Sequence, residues 1–356
     1  MQQNIPINKG NYSLEPPERE ALFEQYRGEG WEREYWLYRD RWSAYPDRQF
    51  VADYPLLVDL ELSTVCDLRC PMCYTIRDEF KENVNAGLMD FGLFTSIIDE
   101  ICTKVPAIRL SLRGEPTLHP QFLQCISYAK KQGVREVSAL TNGSRLSAEC
   151  FRDMLRAGID WLTISVDGMH EVYEQIRSPL KFNDLLHNLQ AIKRIKAEEG
   201  THKPVIKVQA IWPAIKNDLE RFYTTLAPLV DLIAFNPLID YLGNDSDIVY
   251  EDNFSCCQHY QRLVVGADGR VMMCSNDEEG NVIVGNAATE SIHAIWHGDA
   301  LNRIRALHRQ KDGFKVMPVC CRCYLPRKTE ANETATVNGR EFMVKNYVNR
   351  KQLIGA

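Results

Sequence analysis

The chain has 356 residues, 45% hydrophobic and 25% charged, which is globular composition and excludes a disordered, collagen-like or small disulfide-stapled protein. A net charge of −6 gives no support to a general nucleic-acid binder, and no run of about eighteen apolar residues is present to span a membrane. The opening MQQNIPINKG lacks the charged-then-apolar pattern of a secretory signal, so a cytoplasmic location is expected.

Residues 1–54 are rich in Glu, Arg, Tyr and Trp and show no strand alternation, which predicts one or two amphipathic helices over 14–50. Over 55–240, short apolar β-branched runs alternate with helical segments. The runs are 56–62, 108–112, 134–140, 161–166, 205–211 and 232–235, and the helices are 91–104, 120–132, 147–157, 182–196 and 218–229. About six strand–helix units predict a parallel sheet, as a doubly wound layer or as an incomplete (β/α) barrel. Residues 241–255 are acidic and turn-rich and read as a linker. Within 256–330, Ala267-Asp268-Gly269-Arg270 signals a hairpin turn and 291–308 one helix. Residues 331–356 read as a polar tail with a short Val/Tyr run at 342–348.

Polar residues follow the predicted strand ends: Ser63 and Thr64, Arg113-Gly114-Glu115, Thr141-Asn142-Gly143, and Asp167-Gly168. In parallel α/β folds this is the rim that carries chemistry. A cysteine loop, Cys66, Cys70 and Cys73, follows the first strand on the same rim. Twelve cysteines in a cytoplasmic chain point to metal or catalytic use. Cys256, Cys257, Cys274, Cys320, Cys321 and Cys323 form a second, spread group, while Cys102, Cys125 and Cys150 stand alone on apolar helical faces as small core residues. Three thiolates in one loop suit zinc with an open position or a [4Fe–4S] cluster with one open iron, and the ligand chemistry leaves both open.

The C-x-x-x-C-x-x-C of Cys66, Cys70 and Cys73 resembles the radical S-adenosylmethionine (SAM) superfamily. Arg113-Gly114-Glu115-Pro116 resembles the segment that holds the SAM amino group there, although Arg113 stands where glycine is common. Leu140-Thr141-Asn142-Gly143 and Ser165-Val166-Asp167-Gly168 resemble the segments after the third and fourth strands, and Arg177 an arginine near the SAM carboxylate. The resemblance covers roughly 56–240. It implies an incomplete (β/α)6 TIM-type barrel, a cluster on Cys66, Cys70 and Cys73, and SAM held by Gly114, Glu115, Asn142, Ser165, Asp167 and Arg177. Cys256, Gly269, Cys274, Cys320 and Cys323 resemble the SPASM auxiliary-cluster domain in its shortened "twitch" form, a small C-terminal β-hairpin and helix unit. Cys257 also satisfies the first position, but Cys256 aligns better. No cysteine follows Cys323, so one auxiliary [4Fe–4S] cluster is expected, two clusters in all. Four zinc-bound cysteines are the alternative.

What the resemblance implies is reductive cleavage of SAM to a 5′-deoxyadenosyl radical that abstracts hydrogen from a C–H bond. The expected substrate is a small polar molecule of sugar or aminocyclitol type, undergoing dehydrogenation, epimerisation, dehydration or decarboxylation. The enzyme would thus be an oxidoreductase or an epimerase/lyase. Two alternatives stand beside it: modification of a ribosomally made peptide, and a zinc-stabilised binding protein without redox chemistry. Cys257 and Cys321, spare beside the ligands, are candidate hydrogen-atom donors. An external flavodoxin or ferredoxin is expected as reductant, with no membrane or nucleic-acid partner.

Overall fold

The computed structural model describes residues 3–237 and 247–349. Its first fifty residues form a short strand, β1 (Tyr12–Ser13), and two helices, α1 (Pro17–Gly28) and α2 (Glu32–Asp47). Six strands then alternate with helices: β2 (Leu57–Leu60), β3 (Ala107–Arg109), β4 (Glu136–Thr141), β5 (Trp161–Ser165), β6 (Val205–Ile211) and β7 (Leu232–Asn236). They pair in parallel in chain order, which is the incomplete (β/α)6 barrel. The crossover helices begin and end on local chemistry. Asp90 and Ser147 cap two of them by accepting from the backbone N–H of Leu93 and Cys150. Gly133 and Gly158 end two in the left-handed conformation.

Each strand has two different faces. Val58 and Leu60, Ile108 and Leu110, Leu162 and Ile164, and Ile206 and Val208 face the helices in the main core. Asp59, Arg109, Glu136, Thr163 and Lys207 lie one residue out of phase with them and face the barrel interior. The interior is therefore polar and the helix-side layer apolar. α1 and α2 cap the mouth at the strand N-termini: Phe23 packs on Val205 and Leu232, and Trp31, Tyr35, Tyr38 and Trp42 on Leu56 and Leu57.

The chain beyond the barrel differs from the sequence-based expectation in three ways. β8 (Arg262–Val265) pairs in parallel with β2, and β9 (Arg270–Met272) and β10 (Ile283–Asn286) continue outward, so the hairpin of 256–330 extends the barrel sheet. The helix expected over 291–308 is two, Ile292–His297 and Asp299–His308, parted at Gly298, whose extended backbone ends the first. The expected polar tail folds as an antiparallel pair, β11 (Thr329–Val337) and β12 (Arg340–Tyr347), through Asn338-Gly339, both at positive φ. This pair leans on the barrel: Trp212 Nε1 donates to Glu333 Oε2 at 2.9 Å, and Tyr12 Oη to the Lys345 carbonyl at 3.3 Å. Residues 241–246 of the expected linker lie outside the described residues. Among those described, no helix is long and apolar enough to cross a membrane.

Candidate active site

After β2 the chain runs through Ser63–Val65 into the cysteine loop. The end of β3 lies against it: Gly114 N donates to Ser63 O at 3.2 Å and Glu115 N to Val65 O at 2.9 Å. A Cβ on Gly114 would stand 2.4 Å from Ser63 O and 2.5 Å from Val65 O, so only glycine permits the approach. Glu115 is buried and accepts at Oε1 from Thr117 N, Thr117 Oγ1 and Thr141 Oγ1, and at Oε2 from Asn142 N at 2.7 Å. Burial raises its pKa while these donors pull it down, and Oε2 keeps room for a further donor. Asn142 Nδ2 donates to Asp67 Oδ1 at 2.8 Å and reaches Cys66 Sγ at 3.6 Å. Glu115 and Asn142 thus stitch the ends of β3 and β4 to the cysteine loop.

Asp167, buried beyond β5, accepts from Ile211 N at 2.9 Å and from Arg177 Nε at 2.8 Å. Arg177 in turn acts on Cys70, whose thiol burial pushes up to about 11 while the guanidinium pulls it back. Ser165 ends β5 opposite Gln209. Burial also raises Cys66, and Cys70 feels both Cys66 and Cys73. All three thiols are free, and Cys70 interacts electrostatically with the other two, which fits a cluster held by this loop.

The second thiol set gathers on the β8–β10 side. Cys256 interacts electrostatically with Cys274 and Cys323, and Cys274 with Cys323 and Cys320. All four are free; Cys256, Cys274 and Cys320 are buried and Cys323 partly so. Asn276 Nδ2 donates to Cys323 Sγ at 3.2 Å and Leu325 N at 3.4 Å. Cys256 N donates to His308 Nδ1 at 3.3 Å, which leaves the ring proton on Nε2, 3.5 Å from Cys320 Sγ. Four converging thiols with N–H donors aimed at sulfur fit a cluster. Cys257 shares a side-chain hydrogen bond with Cys256 and also lines the interior cavity, near Arg262. Cys321 does neither. On the helix Pro318–Arg322 its thiol donates to the Lys315 carbonyl at 3.3 Å.

Two features went unread in the sequence. Arg113, which breaks the glycine pattern, donates through Nε to Glu61 Oε1 at 2.6 Å in a fully buried pair and through Nη1 to Glu278 O at 3.2 Å. Glu61 also accepts from Ala267 N at 3.2 Å, so this pair ties the cysteine rim to the second thiol region. The other is a cavity of about 1000 Å³ that reaches from Met72 and Tyr74 of the cysteine loop to Cys257, Asn276 and Tyr324, with Arg27 and Trp42 at its floor. Its signal was the charged residue at alternate positions in otherwise apolar strands.

A model of the radical SAM superfamily matches residues 60–206, and one of the SPASM iron–sulfur cluster-binding domain matches 256–324. The tungsten-containing aldehyde ferredoxin oxidoreductase cofactor-modifying protein of Pyrococcus furiosus is 31% identical over 160 residues, 43% of this chain and 42% of that protein. Together with two Methanosarcina barkeri proteins, it is matched over 40% to 49% of its length, so the chain spans under half of these curated relatives. Among solved structures, BtrN in complex with AdoMet and 2-DOIA superposes with a TM-score of 0.53 at 18% identity, over 75% of this chain and 91% of that one. Streptococcus suis SuiB bound to S-adenosylmethionine superposes at 0.55 and 11% identity, over 87% and 88%. SAM, a [4Fe–4S] cluster and auxiliary iron–sulfur chemistry are the cofactors these matches imply. With one family model lying on the barrel and its cysteine rim and the other on the second thiol set, the chain carries a radical SAM domain and an SPASM iron–sulfur cluster-binding domain.

Proposed function

We propose that this enzyme uses two [4Fe–4S] clusters to abstract hydrogen from a C–H bond of a small polar substrate, of sugar or aminocyclitol type, held in the barrel. The observation that carries the reading is the single cavity that both thiol regions border, floored by α1 and α2. When bound, SAM and its cluster supply a 5′-deoxyadenosyl radical. Cys66, Cys70 and Cys73 hold that cluster, and Cys256, Cys274, Cys320 and Cys323 the other. Glu115 Oε2 accepts from the SAM ammonium, a charge-assisted bond. Arg177, held by Asp167, faces its carboxylate. Gly114, Asn142 and Ser165 shape the rim on which SAM rests. Cys257 is the thiol placed to return a hydrogen atom if the outcome is epimerisation.

A floored cavity of this size supports a small molecule over a peptide. Oxidation, epimerisation, dehydration and decarboxylation all remain within the proposal. A flavodoxin or ferredoxin is the proposed reductant. The test is anaerobic incubation of reconstituted protein with SAM and dithionite, followed by chromatography for 5′-deoxyadenosine. The parent forms it and Cys70→Ala does not. Equal, absent formation in both, with SAM intact, overturns the reading.

A further inference from the structure

The cavity carries more cationic side chains than a neutral sugar needs. Arg27 pairs with Glu136 at 2.9 Å, Arg39 with Glu24 at 3.3 Å and Lys9 with Glu251 at 2.8 Å. Arg109 and Arg262 share one carboxylate, Asp59, at 2.9 and 3.2 Å. Glu20 and Glu278 also border the cavity, on α1 and beside the second thiol set. Among the described cationic residues that line it, Lys207 alone has no carboxylate within ion-pair reach. Its Nζ donates to Asn11 Oδ1 at 3.3 Å. The residue is only 9% exposed.

A buried ammonium without a counter-ion is costly, and folding does not retain one without another gain. Burial lowers the Lys207 pKa to about 8; Arg27 and Arg109 push it the same way, and Glu24, too far for an ion pair, opposes them. Arg109 keeps about a third of its side chain exposed, although it sits inside the barrel. Gln209, Thr163 and Asn236 border the same space and supply neutral partners.

We propose that Lys207 and Arg109 seat an oxyanion of the substrate, a carboxylate or phosphate, deep in the barrel, leaving the rest of the molecule directed toward the cysteine rim. This deepens the proposed function and rests on it for the rim chemistry. The anion supplies the charge that Lys207 lacks. It also fixes one end of the substrate, so that a single C–H bond meets the rim. Neutral sugars would then be poor ligands and sugar acids or sugar phosphates good ones.

The test uses reconstituted, iron-loaded protein with SAM present. Sulfate and acetate, as tetrahedral and planar probes, are titrated by calorimetry into the parent, Lys207→Met, Lys207→Arg and Lys131→Met, the last an exposed helical control. Anaerobic crystals are soaked in selenate. Expected are an anomalous peak beside Lys207, at least tenfold weaker binding in Lys207→Met, as loss of one charge-assisted bond implies, and parent-like binding in the other two. The preferred probe tells phosphate from carboxylate. Parent affinity retained in Lys207→Met, or no peak in the barrel, overturns the seat. Iron and SAM binding measured on the same samples separate this from failure of the radical reading. A Lys207-dependent peak in protein that takes up no iron on reconstitution would leave the seat and remove the radical chemistry.

Discussion

Gly114, Lys207 and His308 are each held in a place that another residue would change measurably. Alanine at Gly114 would drive Cβ into the carbonyls of Ser63 and Val65. Overpacking of this kind costs about 1–3 kcal/mol, and relief requires the start of the cysteine loop to move. Gly114→Ala is therefore expected to lose the SAM-binding cluster and keep the auxiliary one, read as a halved iron content with the fold intact by circular dichroism. Lys207 is lowered from 10.5 to about 8, so between those values the folded chain binds fewer protons than the unfolded one. Its burial destabilises the protein below that window and ceases to do so above it. Lys207→Met is thus expected to melt higher than the parent at neutral pH, by up to about 3 kcal/mol, with the gap closing as pH rises through the window. A gap that stays constant with pH would contradict a buried charged ammonium. His308 directs its Nε2 proton at Cys320 Sγ, and hydrogen bonds to cluster sulfur raise reduction potential. In His308→Leu the auxiliary cluster's potential, followed by electron paramagnetic resonance during redox titration, should shift lower while that of the SAM cluster stays put.

At the scale of elements, much of the barrel is readable because its strands and helices obey local rules. The span 205–211 needs no adjustment, and Ser147 and Gly158 bound their helix as capping chemistry requires. The cysteine loop is readable because its spacing is compact. Alternation within strands was the signal passed over. Asp59, Arg109, Glu136 and Lys207 break apolar runs every second residue in phase, which is what a polar interior demands of a parallel strand. The C-terminal hairpin was missed because its strands are mostly polar, although Asn338-Gly339 is a strong turn signal. Cys256 and Cys257 could not be told apart by spacing, since adjacent residues differ only in direction, and direction is set by the turn into the helix Gln258–Gln261. The same limit applied to Cys321, the second residue of C-C-x-C, whose thiol bonds the Lys315 carbonyl.

Among the described residues, β1 to β10 form one continuous sheet beside the separate β11–β12 pair, with a thiol set on each side of the β2 seam. The buried Glu61–Arg113 pair crosses that seam and anchors both. Removing one partner of a buried pair costs about 3–5 kcal/mol, so Arg113→Met should lower the melting temperature and disturb both thiol sets together, seen as parallel loss of both clusters. Glu61→Gln with Arg113→Met, which removes both charges, should recover much of the stability. The central claim is that two thiol sets hold two iron–sulfur clusters around one cavity. It is tested most directly by measuring iron, acid-labile sulfide and zinc on anaerobically reconstituted protein beside the Cys66/Cys70/Cys73 triple alanine variant. The account predicts about eight irons in the parent and about four in the variant, as two four-iron clusters require. About four irons with one zinc would contradict the auxiliary cluster, and zinc alone would contradict the radical chemistry itself.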